Sequence, residues 1–203
     1  MILDEIRVGK VMFDIFRRII DNNPRIQEPS TFHNWVLGNY GRTLALQLRR
    51  LADNDSRTYS LRRLIGSIFQ NHKLITRRAY LNSYKPAERE YARRAWIQYT
   101  DASDPDVLPR GVCDGDLKVL ERVAFRAVRM VDRDIAHLDR RRRPRKLLYD
   151  EMFAALEIHA SVTAKYADLV GYRMADTVQN GAYGEDWVRL FEQPWVVKPR
   201  IER

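Results

Sequence analysis

Cysteine is almost missing from this chain. Its one thiol, Cys113, leaves nothing with which to form an intramolecular disulfide or a Cys-based zinc site. Disulfide-stapled scaffolds and zinc fingers are thereby excluded, and a lone cysteine suits a reducing compartment, so a cytoplasmic location is expected. Long hydrophobic runs are missing too: no window holds 18 uncharged apolar residues, which removes a transmembrane helix from consideration, and no membrane partner is expected because the apolar face opposite the basic stripe is expected to be core. The opening MILDEIRVGKVMFDIF sets Asp4 and Glu5 ahead of its apolar positions, with neither a basic leader region nor a small-residue cleavage site, so a secretory leader is not expected. Glycine-rich phosphate loops, His-Glu metal spacings and nucleophile motifs are lacking as well, so no metal and no cofactor are expected.

What remains is 203 residues, 45% hydrophobic and 31% charged, enough to bury a core unaided. The charge is lopsided, with 36 Lys and Arg against 27 Asp and Glu for a net +9. The excess is also local: Leu117 to Lys146 carries eleven cations (Lys118, Arg122, Arg126, Arg129, Arg133, Arg140, Arg141, Arg142, Arg143, Arg145, Lys146) against four anions, Glu121, Asp132, Asp134 and Asp139. Localised positive charge attracts polyanions such as nucleic acid, because neutralised phosphates release condensed counterions. A solubilising face is the competing reading of net charge alone.

The apolar spacing is helical throughout and predicts an all-α protein. Ile6, Val11, Met12, Ile15, Phe16, Ile19 and Ile20 mark a first helix from about Asp4 to Asn22, closed by Asn22-Asn23-Pro24. Ser30 is the expected N-cap of a second helix through Leu51, and Ser60 of a shorter one through Phe69. Leu74 to Tyr99 reads as polar helix with Pro86 at an N1 position. Residues 100–115, rich in Pro, Gly and Asp, read as an internal loop within one helical domain spanning 1–203. Asp114 or Asp116 is then expected to cap a long helix carrying Leu117, Leu120, Ala124, Val131, Ile135 and Leu138, and Tyr149 to Val170 a last one with Gly171 at C′. The tail, 182–203, is aromatic but broken by Pro194 and Pro199. It is expected to pack Trp187, Phe191 and Trp195 onto the bundle or onto a partner chain, which favours a homodimer.

Four histidines are the first candidates for acid-base chemistry. His33 and His159 have no acidic or Cys neighbour at ligand spacing and read as packing or surface residues, and His72 as a capping or solvent-facing one. His137 differs, because Arg126, Arg129, Arg133, His137 and Arg140 follow one another at spacings of three, four, four and three and share one helix face opposite Val131, Ile135 and Leu138. Fixed guanidinium forks suit phosphate, and an imidazole among them can move a proton near neutral pH. That set can cleave RNA without metal: the imidazole takes the 2′-hydroxyl proton or gives one to the leaving 5′-oxygen, while an arginine stabilises the phosphorane. A solvated basic face, with His137 paired to Asp134 or Asp139, is the bland alternative.

The run Val131-Asp132-Arg133-Asp134-Ile135-Ala136-His137-Leu138-Asp139 resembles the motif stretch of the HEPN superfamily, especially its AbiU-like abortive-infection branch. Leu48-Arg49-Arg50-Leu51-Ala52-Asp53, with Ser60-Leu61-Arg62-Arg63-Leu64, is similar to that branch's N-terminal helices, and Trp187 to Trp195 to its tail. The resemblance implies an all-α core, often a homodimer with motif helices face to face, and in active members a metal-independent endoribonuclease of toxin or phage-defence type, with an antitoxin or partner protein. Carried over, His137 is catalytic, Arg133 or Arg129 stabilises the phosphorane, Arg126, Arg140, Arg141, Arg142, Arg143 and Arg145 bind phosphates, and Asp139 orients the imidazole. The family's arginine stands four to six intervening residues before the histidine, and those positions here are Asp132, Val131 and Met130. Arg133 and Arg129, with three and seven intervening residues, flank that window. A non-catalytic HEPN module that binds a nucleotide, nucleic acid or partner protein is the alternative.

Overall fold

Every regular element among the described residues is a helix, as apolar side chains three and four apart require. The computed structural model describes residues 2–22, 31–101, 104–132 and 148–172, with side chains from residue 8 onward. The helices are α1 (Ile2–Asp21), α2 (Thr31–Leu51), α3 (Leu61–Gln70), α4 (Arg77–Asn82), α5 (Arg89–Tyr99), α6 (Arg110–Met130) and α7 (Tyr149–Leu169). Single 3₁₀ turns at His72–Leu74 and Pro86–Glu88 separate the shorter helices. One isolated antiparallel bridge, Thr76 to Val107, is the only β pairing among these residues. None of these helices is long and apolar enough to cross a membrane. The expected N-cap Ser30 and the tail 182–203 lie outside the described residues.

The described backbone groups into two compact units, one holding residues 2–22 and 31–35 and the other residues 36–101, 104–132 and 148–172. In the first, Phe13 and Ile15 are the buried apolar residues of α1, while Val11 and Met12, expected on its apolar face, are exposed. Phe16 meets the His33 ring edge-on at 6.1 Å, and Phe32 stacks on Trp35 at 6.3 Å.

The second unit holds the main core. Leu61, Ile65 and Ile68 of α3, Tyr80 of α4, Ala92, Ala95 and Trp96 of α5, Cys113 and Leu120 of α6, and Val162, Tyr166 and Leu169 of α7 form one apolar cluster. Trp96 is fully buried and its indole N–H donates to the Pro105 carbonyl at 3.0 Å, so the largest apolar body of the core also has its polar atom satisfied. Truncating such a residue to alanine costs about 3–5 kcal/mol. Small residues let helices approach: Ala124 and Ala127 face inward on α6, and Gly41 of α2 lies under Tyr149, whose hydroxyl donates to the Leu37 carbonyl. Tyr149 and Tyr40 then stack at 6.0 Å.

The ends of the helices follow local rules. Ser60 caps α3 by accepting from the Arg63 amide at 3.2 Å, and Thr76 caps α4 through the Ala79 amide at 3.1 Å. Gly171, at φ 77°, ends α7 in the left-handed region that favours glycine, and its amide returns to the Asp168 carbonyl at 3.0 Å.

Two expectations shift. Pro86 does sit at the first position of a helical turn, but that turn is 3₁₀, and the helical stretch expected over Leu74 to Tyr99 holds two separate helices, α4 and α5. Likewise α6 begins at Arg110, so the loop expected over 100–115 shortens to 100–109, and Asp114 and Asp116 lie inside the helix instead of capping it. The cause is burial: Leu108 and Cys113 are both fully enclosed, and the Leu108 amide bonds to the Ile75 carbonyl at 2.9 Å, which fixes the chain just before the first turn.

Candidate nucleic-acid interface

The C-terminal half of α6 divides cleanly into two faces. Leu120, Ala124, Ala127 and Val131 are buried against the core, and Arg122, Arg126 and Arg129 are exposed on the other side, as spacings of three and four dictate. Arg122 extends the row by one turn beyond the arginines picked out from the sequence. Arg129 lies over the exposed Phe125 ring, 5.3 Å from its centroid, which holds the guanidinium close to the helix and leaves its fork open. Arg126 pairs with Glu151 of α7, and Glu151 in turn accepts from the Leu148 amide at 3.2 Å, capping that helix. A cleft of about 200 Å³ opens between α6 and α7, with Arg122, Arg126 and Glu151 at its rim and Leu48, Ala127, Met152 and Ala155 among its apolar walls.

At the end of this helix Asp132 accepts from Arg49 Nε at 2.8 Å, and the same guanidinium lies 3.9 Å from Asp53. The hydrogen bond to Asp132 holds the Arg49 guanidinium more firmly protonated than usual, ahead of an opposing effect of burial. Both side chains remain partly exposed, so the pair adds little to stability. Its interest is positional. A cation from α2 is delivered to the start of the segment that carries His137 in sequence. Nothing in local spacing announces it, since the partners are 83 residues apart.

Arg126 and Arg129 are the candidate site residues that the structure describes, and it sets them on one exposed face. His137, Arg133, Asp139, Arg140, Arg141, Arg142, Arg143 and Arg145 lie outside the described residues.

The other histidines have identifiable roles. His159 is fully buried; its Nδ1 lies 2.7 Å from the Ala155 carbonyl, and Nε2 has no hydrogen-bond partner among the described residues. Burial pulls its pKa below the ordinary value, so it stays neutral. Of the packing and surface roles expected of it, this is the packing one. His72 is half-buried, and its Nδ1 reaches the Leu108 carbonyl at 2.8 Å, tying the 3₁₀ turn to the start of α6.

Two polar groups were not foreseen. Tyr80 and Tyr84 donate to Asp168 at 2.6 Å each and meet each other at 3.0 Å; burial first, and the bond to Asp168 second, push the Tyr80 phenol far above its usual pKa. On the other side of the core, Asp116 accepts from Lys165 at 2.8 Å and from Tyr166 at 2.9 Å. Cys113 lies beside Tyr166 in α6 rather than in a loop, and burial pushes its thiol pKa up, the reverse of what a nucleophile needs. Among the described residues no three His, Cys, Asp or Glu side chains are grouped as a metal ion would require.

Comparison of the chain with protein-family models, with curated proteins and with solved structures finds no match in any of the three.

Proposed function

We propose that this protein is an HEPN-like RNA-interacting protein, and that the segment following α6 cleaves the bound strand without metal. The observation that carries the reading is the exposed row Arg122, Arg126 and Arg129, which continues in the sequence through Arg133, His137 and Arg140 at the same helical spacing. Guanidinium forks at that pitch meet successive phosphate oxygens, and an imidazole within the row has both its substrate charge and its proton traffic provided for. Arg49 is brought to Asp132, five positions before His137 in the chain, where its charge is balanced by Asp132 and Asp53.

In this reading His137 takes the 2′-hydroxyl proton, the 2′-oxygen attacks phosphorus, and the 5′-oxygen departs and is protonated. The products are a 2′,3′-cyclic phosphate and a 5′-hydroxyl. Arg133 or Arg129 stabilises the crowded phosphorane, Asp139 orients the imidazole, and Arg140 to Arg143 with Arg145 hold flanking phosphates. The deciding experiment is incubation of purified protein with total RNA in excess EDTA, wild type beside His137→Ala. Cyclic-phosphate ends that vanish in the variant support the assignment; equal cleavage by the two proteins removes His137 from it.

A second reading rests on Asp132. It occupies a position where the resemblance expects arginine, and its carboxylate is occupied by Arg49. That favours a binding module without catalysis, which EDTA-insensitive RNA affinity with no cleavage by folded wild type supports.

A further inference from the structure

A second concentration of arginine lies away from α6, and the sequence gives no sign of it because it is assembled from two helices. Arg77 and Arg78 open α4, and Arg89 and Arg93 stand one turn apart on α5. The four line a single open cleft of about 280 Å³ with Leu81, Asn82 and Asp106. The start of α4 is firmly held: the Arg77 amide donates to the Asp106 carbonyl at 2.9 Å, Thr76 bridges Val107, and Tyr80 one turn on is locked to Asp168.

Compensating charge is partial. Arg77 Nε lies 2.8 Å from Asp104 Oδ1, an ion pair by distance rather than a well-aligned hydrogen bond, and Arg93 is 3.6 Å from Glu90. Arg78 and Arg89 are exposed and have no acidic partner among the described residues. With Arg77 and Arg93 already paired and Asp106 also lining the cleft, the excess positive charge is that of Arg78 and Arg89, tolerable because both are exposed to water. Those two open guanidiniums are what an incoming anion would meet.

The lining says which anion. Pockets for small organic ligands run to about 300–1,000 Å³ and are mostly apolar and aromatic. This cleft lies at the lower edge of that range, has Leu81 as its one apolar residue and offers no aromatic ring on which a base could stack. Guanidinium forks without a stacking platform recognise phosphate oxygens and ignore base identity. We infer that the α4–α5 cleft binds the phosphodiester backbone of the same RNA, as a sequence-independent anchor separate from the α6 row. This rests on the reading above that RNA is the partner.

The test is fluorescence anisotropy of end-labelled 20-nucleotide RNAs of three sequences, titrated with the full chain across a salt series. The proteins are wild type, Arg78→Gln/Arg89→Gln, Arg122→Gln/Arg129→Gln, and Arg17→Gln/Arg18→Gln as a charge-matched control on the exposed side of α1. Circular dichroism confirms folding of each. Neutralising Arg78 and Arg89 is expected to weaken all three RNAs alike and to flatten the slope of log affinity against log salt by about 0.7 for each phosphate no longer neutralised, more than the control does. An affinity and slope unchanged from wild type, or a weakening no larger than the control's, overturns the inference. If the α6 pair weakens binding while the cleft pair does not, the cleft fails and the RNA reading stands; if wild type binds no RNA, both fail. Binding of ATP alone that disappears in the cleft variant, with RNA affinity intact, likewise overturns the backbone assignment in favour of a free nucleotide.

Discussion

His159 shows how one residue converts burial into pH dependence. Enclosed in α7 with Nε2 unsatisfied, it resists protonation in the folded state more than in the unfolded chain, where its pKa is near 6.5. As pH falls below that value the unfolded chain takes up the proton first. Folding stability is therefore complete above about pH 6.5 and declines as pH falls from there toward the depressed folded-state value. Thermal melts from pH 7.5 to 5.0 should show the wild-type midpoint dropping, with His159→Leu showing a shallower decline; parallel profiles would remove His159 as the cause. The same ring was read in the sequence as a packing or surface histidine because no acidic or thiol neighbour stood at ligand spacing. Its orphaned nitrogen was not, since that depends on what α7 packs against.

Helix α2 offers a matched pair of glycines. Gly38 has open space where a Cβ would go, while a Cβ on Gly41 would come to 3.1 Å from the Tyr149 hydroxyl. That hydroxyl is held by the Leu37 carbonyl and cannot easily retreat. Alanine in a helix interior is worth about 0.5–1 kcal/mol over glycine. Gly38→Ala is therefore expected to stabilise by roughly that amount in urea titration. Gly41→Ala, which must displace Tyr149 from its stack on Tyr40, is expected to destabilise by about 1 kcal/mol. Equal gains from both would mean that Tyr149 is not seated as described. Elements whose signals are local were the legible ones: Ser60 before α3 and Gly171 after α7 act through their own neighbours. The start of α6 was not, because Asp114 and Asp116 look like caps until the burial of Leu108 and Cys113 winds the preceding turn.

At the largest scale, the all-helical architecture of the described residues follows from apolar side chains three and four apart in each helix, and so was plain from the sequence. Grouping was less so. A charged row on one helix, such as Arg122, Arg126 and Arg129, can be read from spacing, but the Arg49–Asp132 pair and the Arg77, Arg78, Arg89 and Arg93 cleft unite residues from different helices and need the folded backbone to appear.

Cys113 has a use of its own. Its thiol is sealed in the larger unit, and nothing else in the chain can react with a disulfide reagent. Labelling in native buffer must therefore wait for that unit to open, and is expected to run at least about a thousandfold slower than in denaturing urea. If reclosing outpaces reaction, the ratio of the two rates is the fraction of time spent open. The chain thus carries its own clock for breathing motions, with no probe to install.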